Sequence, residues 1–298
     1  MGDAAWWLRS LLFVPGSQPA MIAKARALGA DAVILDLEDG VAPGDKERAR
    51  RAVADALDEG FPDALVVLLR PNGLHSGLLD LDLSGAFRPR VDGICLPKCE
   101  APAAVQALDA RLRILEDRWA LPRGRVRVLP MIESARGVLQ APAIARASPR
   151  VCGVGFGAED FTADAGIPRT REGGELAWAR TAVSLAAHAA GVPAVDGVFA
   201  DFHDEAGLRA DAAEARRLGY TGKMVIHPAQ IAPVHAALAP SAEEVERARR
   251  VVAAFEEACA GGSGIAVLDG AMVDRPVFLR AQRTLALARR AQGARGGS

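Results

Sequence analysis

The chain is short of aromatic residues: one tyrosine, four tryptophans and nine phenylalanines make up 5% of its 298 residues. Half of the residues are hydrophobic, so the core must come from Ala, Val, Leu and Ile. Net charge is also lacking, with 36 basic against 37 acidic side chains. That balance argues against the strongly basic surface of a nucleic-acid binder and against an acidic disordered chain. Cysteine is scarce, and Cys95, Cys99, Cys152 and Cys259 make no disulfide framework in a chain of this size. Cys95 and Cys99 lack CxxC spacing and a nearby histidine, so they read as small buried hydrophobes. No apolar run reaches the ~18 residues of a membrane span. The opening MGDAAWWLRSLLFVPG has no basic segment ahead of its apolar stretch, so it does not read as a secretory signal. The expectation is a soluble cytoplasmic protein with no membrane and no nucleic-acid partner.

What the chain does have is alternation. Eight short, nearly continuous apolar runs fall at 10–16, 32–39, 66–72, 93–98, 125–133, 151–157, 194–201 and 222–228. Such runs suit parallel strands covered on both faces. Amphipathic helical patterns fill most gaps, at 21–28, 45–57, 102–117, 135–147, 176–190 and 205–218. The gap at 73–90 has the weakest helical pattern. Eight strands with crossovers predict a TIM (β/α)8 barrel, α/β in class. The rival is an open doubly wound sheet, which usually carries a Gly-rich phosphate loop after its first strand. Here that turn reads PGSQPAM, with neither GxGxxG nor a Walker lysine. The barrel domain is expected over 1–237. A helical C-terminal extension, acting as lid or subunit contact, follows over 238–298. Ser241 is the expected N-cap of its first helix, with Glu244 at the capping-box position. A Gly-rich stretch, GGSGIAVLDGAMVD, leads to a last helix over 276–291, and the tail 292–298 is expected to be disordered. Trp6 and Trp7 read as packing residues below the barrel.

Barrel chemistry gathers at the strand C-termini, and here most of those ends are charged. They carry Asp36, Glu38 and Asp39, then Arg70, Lys98, Glu133, Glu159 and Asp160, Asp196 and finally His227. Carboxylates converging without His or Cys suit a hard cation such as Mg²⁺, bound through one or two acids, waters and substrate. Glu133 and Asp160 follow adjacent strands and can face one site. The same acids would serve equally as an ion-pair belt holding Arg70, Lys98 and Arg136, and residue pattern leaves both readings open. Alternation puts Asp36 and Glu38 on one face and Asp39 on the other without saying which faces inward. His227 could serve as a base, although a lone histidine at the last strand reads more readily as a structural hydrogen-bonder, and His75, His188, His203 and His235 show no evident partners. No GxSxG is present, and no nucleophile has an evident base.

Several ordered segments add a resemblance. The run RSLLFVPGSQPAMIAKARALGADAVILDLEDGVAPGDKERAR, then PMIESARGVL, GVGFGAEDFTADAG, VDGVFADFHDEAGLRADAAEARRLGYTGKMVIHPAQI and GAMVDRP span about residues 9–285. Together they resemble the citrate lyase beta subunit-like, malyl-CoA and citramalyl-CoA lyase family of the HpcH/HpaI aldolase superfamily. The resemblance implies a TIM barrel, a Mg²⁺ cofactor and an acyl-CoA thioester that exchanges a C–C bond with a 2-oxo acid. It implies Glu133 and Asp160 as the Mg²⁺ carboxylates, Glu133 also facing substrate. Arg70 resembles the arginine that contacts the oxo acid and the thioester oxygen. Asp274 resembles an acid/base on a segment that in relatives can reach a neighbouring subunit's site. Phe13 and Lys24 resemble contacts to the CoA nucleotide and phosphates. Gln18 stands where the family often has arginine, and RPN where relatives often read RVN. Relatives are often trimers or hexamers, so a homo-oligomer is expected.

The function implied is Mg-dependent cleavage or formation of a 3-hydroxy-3-carboxyacyl-CoA thioester such as malyl-CoA or citramalyl-CoA. Four alternatives stand beside it. They are a citrate lyase beta subunit acting on a citryl thioester of an acyl carrier protein, a malyl-CoA thioesterase, a metal-dependent aldolase of free 2-oxo acids, and a non-catalytic binding homologue. Gln18 favours the first of these, and Asp274 favours a standalone CoA lyase.

Overall fold

The computed structural model describes Trp6 and residues 8–293. Trp7 and the last five residues of the expected tail lie outside the described residues. Eight parallel strands pair in sequence order: β1 (Ser10–Pro15), β2 (Ala32–Asp36), β3 (Val66–Arg70), β4 (Gly93–Leu96), β5 (Arg127–Ile132), β6 (Val154–Phe156), β7 (Ala194–Asp196) and β8 (Gly222–Val225). β8 pairs back onto β1, with Leu11 opposite Met224, and closes the barrel. An open doubly wound sheet would leave two free edges, so that rival is excluded. Val151, expected to start the sixth strand, makes only an isolated bridge to Val128.

The barrel helices are α1 (Pro19–Ala25), α2 (Lys46–Glu59), α3 (Leu79–Ala86), α4 (Pro102–Arg118), α5 (Ala135–Ile144), α6 (Ala158–Ala165), α7 (Ala177–Ala190), α8 (Glu205–Arg217) and α9 (Ile231–Leu238). The weakly patterned gap after β3 does hold a helix. Its Asp82 is fully buried and takes hydrogen bonds from the backbone and side chain of Asn72, at 2.7 and 2.6 Å, and from Arg50 at 2.6 Å. Polar side chains from outside α3 therefore supply what its apolar periodicity lacks. α6 went unforeseen. It is a short helix with Glu159 and Asp160 in its first turn, where acids face the positive end of the helix dipole.

The barrel interior follows the two-residue strand period. Leu11, Ala32, Ile34, Leu68, Cys95, Leu129, Met131, Val195 and Met224 belong to one buried cluster, with Phe13 and Trp6 packed against it. Cys95 and Cys99 are both buried, as small hydrophobes would be. Extending that period one step beyond each apolar residue reaches Asp36, Arg70 and Glu133.

Among the described residues, those from 236 onward form a second compact unit. It contains α10 (Ala242–Ala260), β9 (Ala266–Leu268), β10 (Ala271–Val273) and α11 (Arg275–Gly293). The capping box opens α10: Ser241 Oγ accepts the Glu244 N–H at 3.1 Å, and a Glu244 carboxylate oxygen accepts the Ser241 N–H at 2.7 Å. The Gly-rich stretch is a β-hairpin. Asp269 and Gly270, at φ 52° and 77°, make the left-handed turn that such a two-residue connection needs. Ala248, Val251, Phe255, Val273 and Ala281 give this unit its own core. α11 runs through Gly293, so residues 292 and 293 are helical rather than tail. No helix among the described residues is long and apolar enough to cross a membrane.

Candidate active site

Asp36 ends β2 and Arg70 ends β3, directly opposite in register. Arg70 Nε and Nη2 donate to the two Asp36 oxygens at 2.6 and 2.7 Å. A second contact runs from Arg70 Nη1 to Glu38 at 3.2 Å. The guanidinium also lies over the Phe13 ring, 4.5 Å from its centroid. Burial alone would lower the Arg70 pKa, but the hydrogen bonds and charges of Asp36 and Glu38 outweigh it and hold it above its usual value. Such a guanidinium is permanently charged and fixed in plane. Three of its five N–H groups face these acids, which leaves the others for a ligand. Asp36 is itself pinned by the Glu38 and Gly40 N–H groups, both at 2.9 Å.

Glu133 follows β5, and Asp160 sits in the first turn of α6, after the adjacent β6. Both line one pocket of about 70 Å³ with Phe13, Arg70, Gly157 and Met224. Gly157 is required there, because a Cβ at that position would lie 2.5 Å from Glu133 Oε2. The two acids have few partners. The Lys98 backbone N–H donates to Glu133 Oε1, but neither acid forms an ion pair among the described residues. Burial, then the charge of Asp160, pushes Glu133 up to about 7, against the pull of that N–H. Asp160 is raised as well, chiefly by burial, although Lys98 opposes the shift. Two acids that resist ionising side by side mark a place short of positive charge.

The remaining expected residues scatter. Lys24 is exposed near the C-terminal end of α1, and Gln18 occupies the N-cap position of that helix without making a side-chain cap bond. Asp274 belongs to the second unit, where its Oδ1 accepts the Val277 N–H at 3.1 Å at the start of α11. Asp196 leaves the acidic pool. It bonds Arg180 at 2.8 Å and Lys223 at 2.6 Å, between β7, β8 and α7. His227 is structural, accepting the Ala229 N–H at 3.2 Å and stacking on Phe202. His235 does have partners: its Nε2 lies 2.7 Å from Ser10 Oγ and 3.7 Å from Asp31.

Residue reasoning left Asp36 undecided and missed Lys46 and Asn72. Lys46 Nζ donates to the carbonyls of Leu37 and Glu38 and to Asn72 Oδ1, at 2.7, 2.7 and 2.8 Å, and so clamps the loop that grips Arg70. The inward series Ala32, Ile34, Asp36 was the available signal for Asp36. Nothing local announces the long reach of Lys46.

A family model described as HpcH/HpaI aldolase/citrate lyase matches residues 9–228. The chain belongs to this family. It is 40% identical to citrate lyase subunit beta of Leuconostoc mesenteroides subsp. cremoris over 280 residues, 94% of this chain and 93% of the relative. It is 37% identical to a (3S)-malyl-CoA thioesterase of Cereibacter sphaeroides over 288 residues, 97% of each. Among solved structures it is similar to protein CitE from Mycobacterium tuberculosis in complex with magnesium, acetoacetate and coenzyme A. That match has TM-score 0.77 and 36% identity, and covers 96% of this chain and 99% of that one. The family is one of lyases, with thioesterases among the relatives.

The donor set in the pocket fits magnesium. Glu133 and Asp160 offer oxygen only, and no His or Cys lines the pocket. No group of three or more His, Cys, Asp or Glu forms a closed cage among the described residues. Two carboxylates with room for water and substrate are what Mg²⁺ takes, whereas a structural Zn²⁺ needs four N or S ligands.

Proposed function

We propose that the chain is a Mg²⁺-dependent carbon–carbon lyase acting on a 3-hydroxy-3-carboxyacyl-CoA thioester, such as malyl-CoA or citramalyl-CoA. Its products are acetyl-CoA and a 2-oxo acid. The observation that carries this reading is the pairing of charge-starved Glu133 and Asp160 with a clamped Arg70 in one pocket.

Glu133 and Asp160 would hold Mg²⁺, which supplies a Lewis acid toward the substrate's hydroxyl and carboxylate oxygens. Arg70 offers its remaining N–H groups to the thioester oxygen. That oxygen gains negative charge as the hydroxyl gives its proton to water, its oxygen becomes the carbonyl of the 2-oxo acid, and the bond between the hydroxyl carbon and the α-carbon breaks. Arg70 cannot turn away, because Asp36 fixes it through two hydrogen bonds and Phe13 lies against its face. One such pre-set donor is worth roughly 3–4 kcal/mol at the transition state. Asp274, on the resemblance alone, gives the enolate carbon its proton in cleavage and removes it in condensation. The second unit then serves as lid or subunit contact in a homotrimer or hexamer. Phe13 and Lys24 would face the CoA moiety, Phe13 doing so from beside Arg70.

A second reading has its own observation. Gln18, exposed at the N-cap of α1 where the family often has arginine, removes a cation suited to CoA phosphate. It favours a citrate lyase beta subunit acting on a citryl thioester of an acyl carrier protein. The deciding experiment incubates the protein and Mg²⁺ with malyl-, citramalyl- and citryl-CoA, then assays glyoxylate, pyruvate, oxaloacetate and free CoA. Release of a 2-oxo acid with acetyl-CoA supports the proposal. Free CoA without oxo acid indicates a thioesterase, and no product from any CoA ester turns the assignment toward a carrier-bound substrate.

A further inference from the structure

Lys98 is one of three non-glycine residues with positive φ among the described residues, at 50°. L-residues avoid this region because Cβ crowds the following carbonyl, and Gly or Asn usually fills it. Lysine has no conformational reason to be there, so the surroundings must hold it. Two contacts do so. The side chain reaches across the barrel mouth, where Nζ bonds Glu38 at 2.6 Å and Asp39 at 3.0 Å. The backbone N–H, turned inward by the left-handed residue, donates to Glu133 Oε1. Glu133 Oε2 is left beside Gly157, on the pocket wall. The neighbouring Cys99 N–H continues the strand ladder to the Met131 carbonyl at 3.0 Å. The left-handed turn therefore diverts one N–H from the sheet to a carboxylate.

We propose that Lys98 is a positioning residue for Glu133. Its left-handed backbone presents the N–H that fixes one carboxylate oxygen and leaves the other for a divalent cation, and its side chain ties that turn to Glu38 and Asp39. This rests on the reading of Glu133 and Asp160 as the metal carboxylates. The device is a backbone one, so its loss depends on the conformational freedom of the residue at 98 rather than on its charge. Outer hydrogen-bond partners of metal ligands typically contribute on the order of 10–100-fold in metal affinity.

The test is Mn²⁺ binding, read as loss of the free-ion signal in electron paramagnetic resonance, with thermal melts confirming that each variant folds. Lys98→Gly and Lys98→Asn keep access to positive φ, and they remove a cation from an acidic mouth. Because they keep the left-handed backbone but lose the side-chain tie, they are expected to lose much less Mn²⁺ affinity than Lys98→Val. Lys98→Val cannot settle at positive φ and is expected to bind on the order of 10–100-fold more weakly. If Lys98→Val does not fold, Lys98→Ala takes its place with a smaller loss in the same direction. Parent-like binding by Lys98→Val or its substitute, or an equal loss in Lys98→Gly, overturns the inference. Glu133→Gln and Asp160→Asn are run beside them. Undiminished binding in those two shows that the metal reading itself has failed, whereas lost binding there with unaffected Lys98 variants shows that only the positioning role has.

Discussion

Two buried clusters of charge sit at different places on the same barrel, and they differ in one respect. Between β7, β8, α7 and α8, Asp196 and Asp211 are matched by Arg180 and Lys223. Lys223 is 1% exposed and bonds both acids, and Arg180 pairs with both. Asp211 accordingly stays below its usual pKa, because Lys223 and Arg180 outweigh the cost of its burial. At the barrel mouth Asp36 and Glu38 are matched in the same way by Arg70 and Lys98, but Glu133 and Asp160 are left over, and both are raised. A balanced buried cluster holds a structure together, whereas an unbalanced one leaves room for a cation that the chain itself does not supply. Acid count alone does not separate the two, since each includes acids at strand ends.

The comparison can be broken or sharpened by experiment. The largest effect belongs to the unbalanced pair. Glu133→Ala or Asp160→Ala is expected to lower Mg²⁺-dependent kcat/KM by on the order of 10⁴-fold, about 5 kcal/mol, with the fold retained. Next, Lys223→Met leaves Asp196 and Asp211 with Arg180 alone. It is expected to cost about 4 kcal/mol of stability, read from denaturant unfolding, with little change in turnover per folded molecule. A loss of activity with unchanged stability would exchange the roles assigned to the two clusters.

The third effect is one of pH. Glu133 in the metal-free protein holds its proton up to about pH 7, against an ordinary 4.5. The folded chain therefore binds that proton more tightly than the unfolded one. The associated stability is present below about pH 4.5 and is lost as pH rises through 7, on the order of 3 kcal/mol in all. Melting curves of the metal-free parent should thus fall relative to Glu133→Gln between pH 5 and 8, and parallel curves would contradict the assignment. Smaller still, Asp36→Asn should lower kcat about 10–100-fold by loosening Arg70, with Mg²⁺ binding retained. In the second unit, Ser241→Ala should cost about 1 kcal/mol through the lost N-cap.

The barrel was legible because each strand announces itself as a compact apolar run bounded by turn residues, from SLLFVP to GKMV. The same two-residue period reaches Arg70 and Glu133 and places them inside. Asp36 lay on that period too, but the residues after it leave the strand at Leu37, so alternation could not carry the argument on to Glu38 and Asp39. The fate of Asp196 was illegible for another reason. Its partners Arg180 and Lys223 lie on α7 and β8, and only the closed fold brings them together. The hairpin after α10 was hidden by its glycines, which read as a flexible stretch although Gly270 serves the turn itself. Lys98 shows no local sign of its left-handed backbone, because the contacts that hold it there come from the segments that follow β2 and β5.

The most direct measurement is a calorimetric Mg²⁺ titration of the parent, Glu133→Gln, Asp160→Asn and Lys223→Met under one set of conditions. The account predicts one site in the parent and in folded Lys223→Met, and at least tenfold weaker binding in the two mouth variants. Parent-like affinity in Glu133→Gln and Asp160→Asn would contradict it.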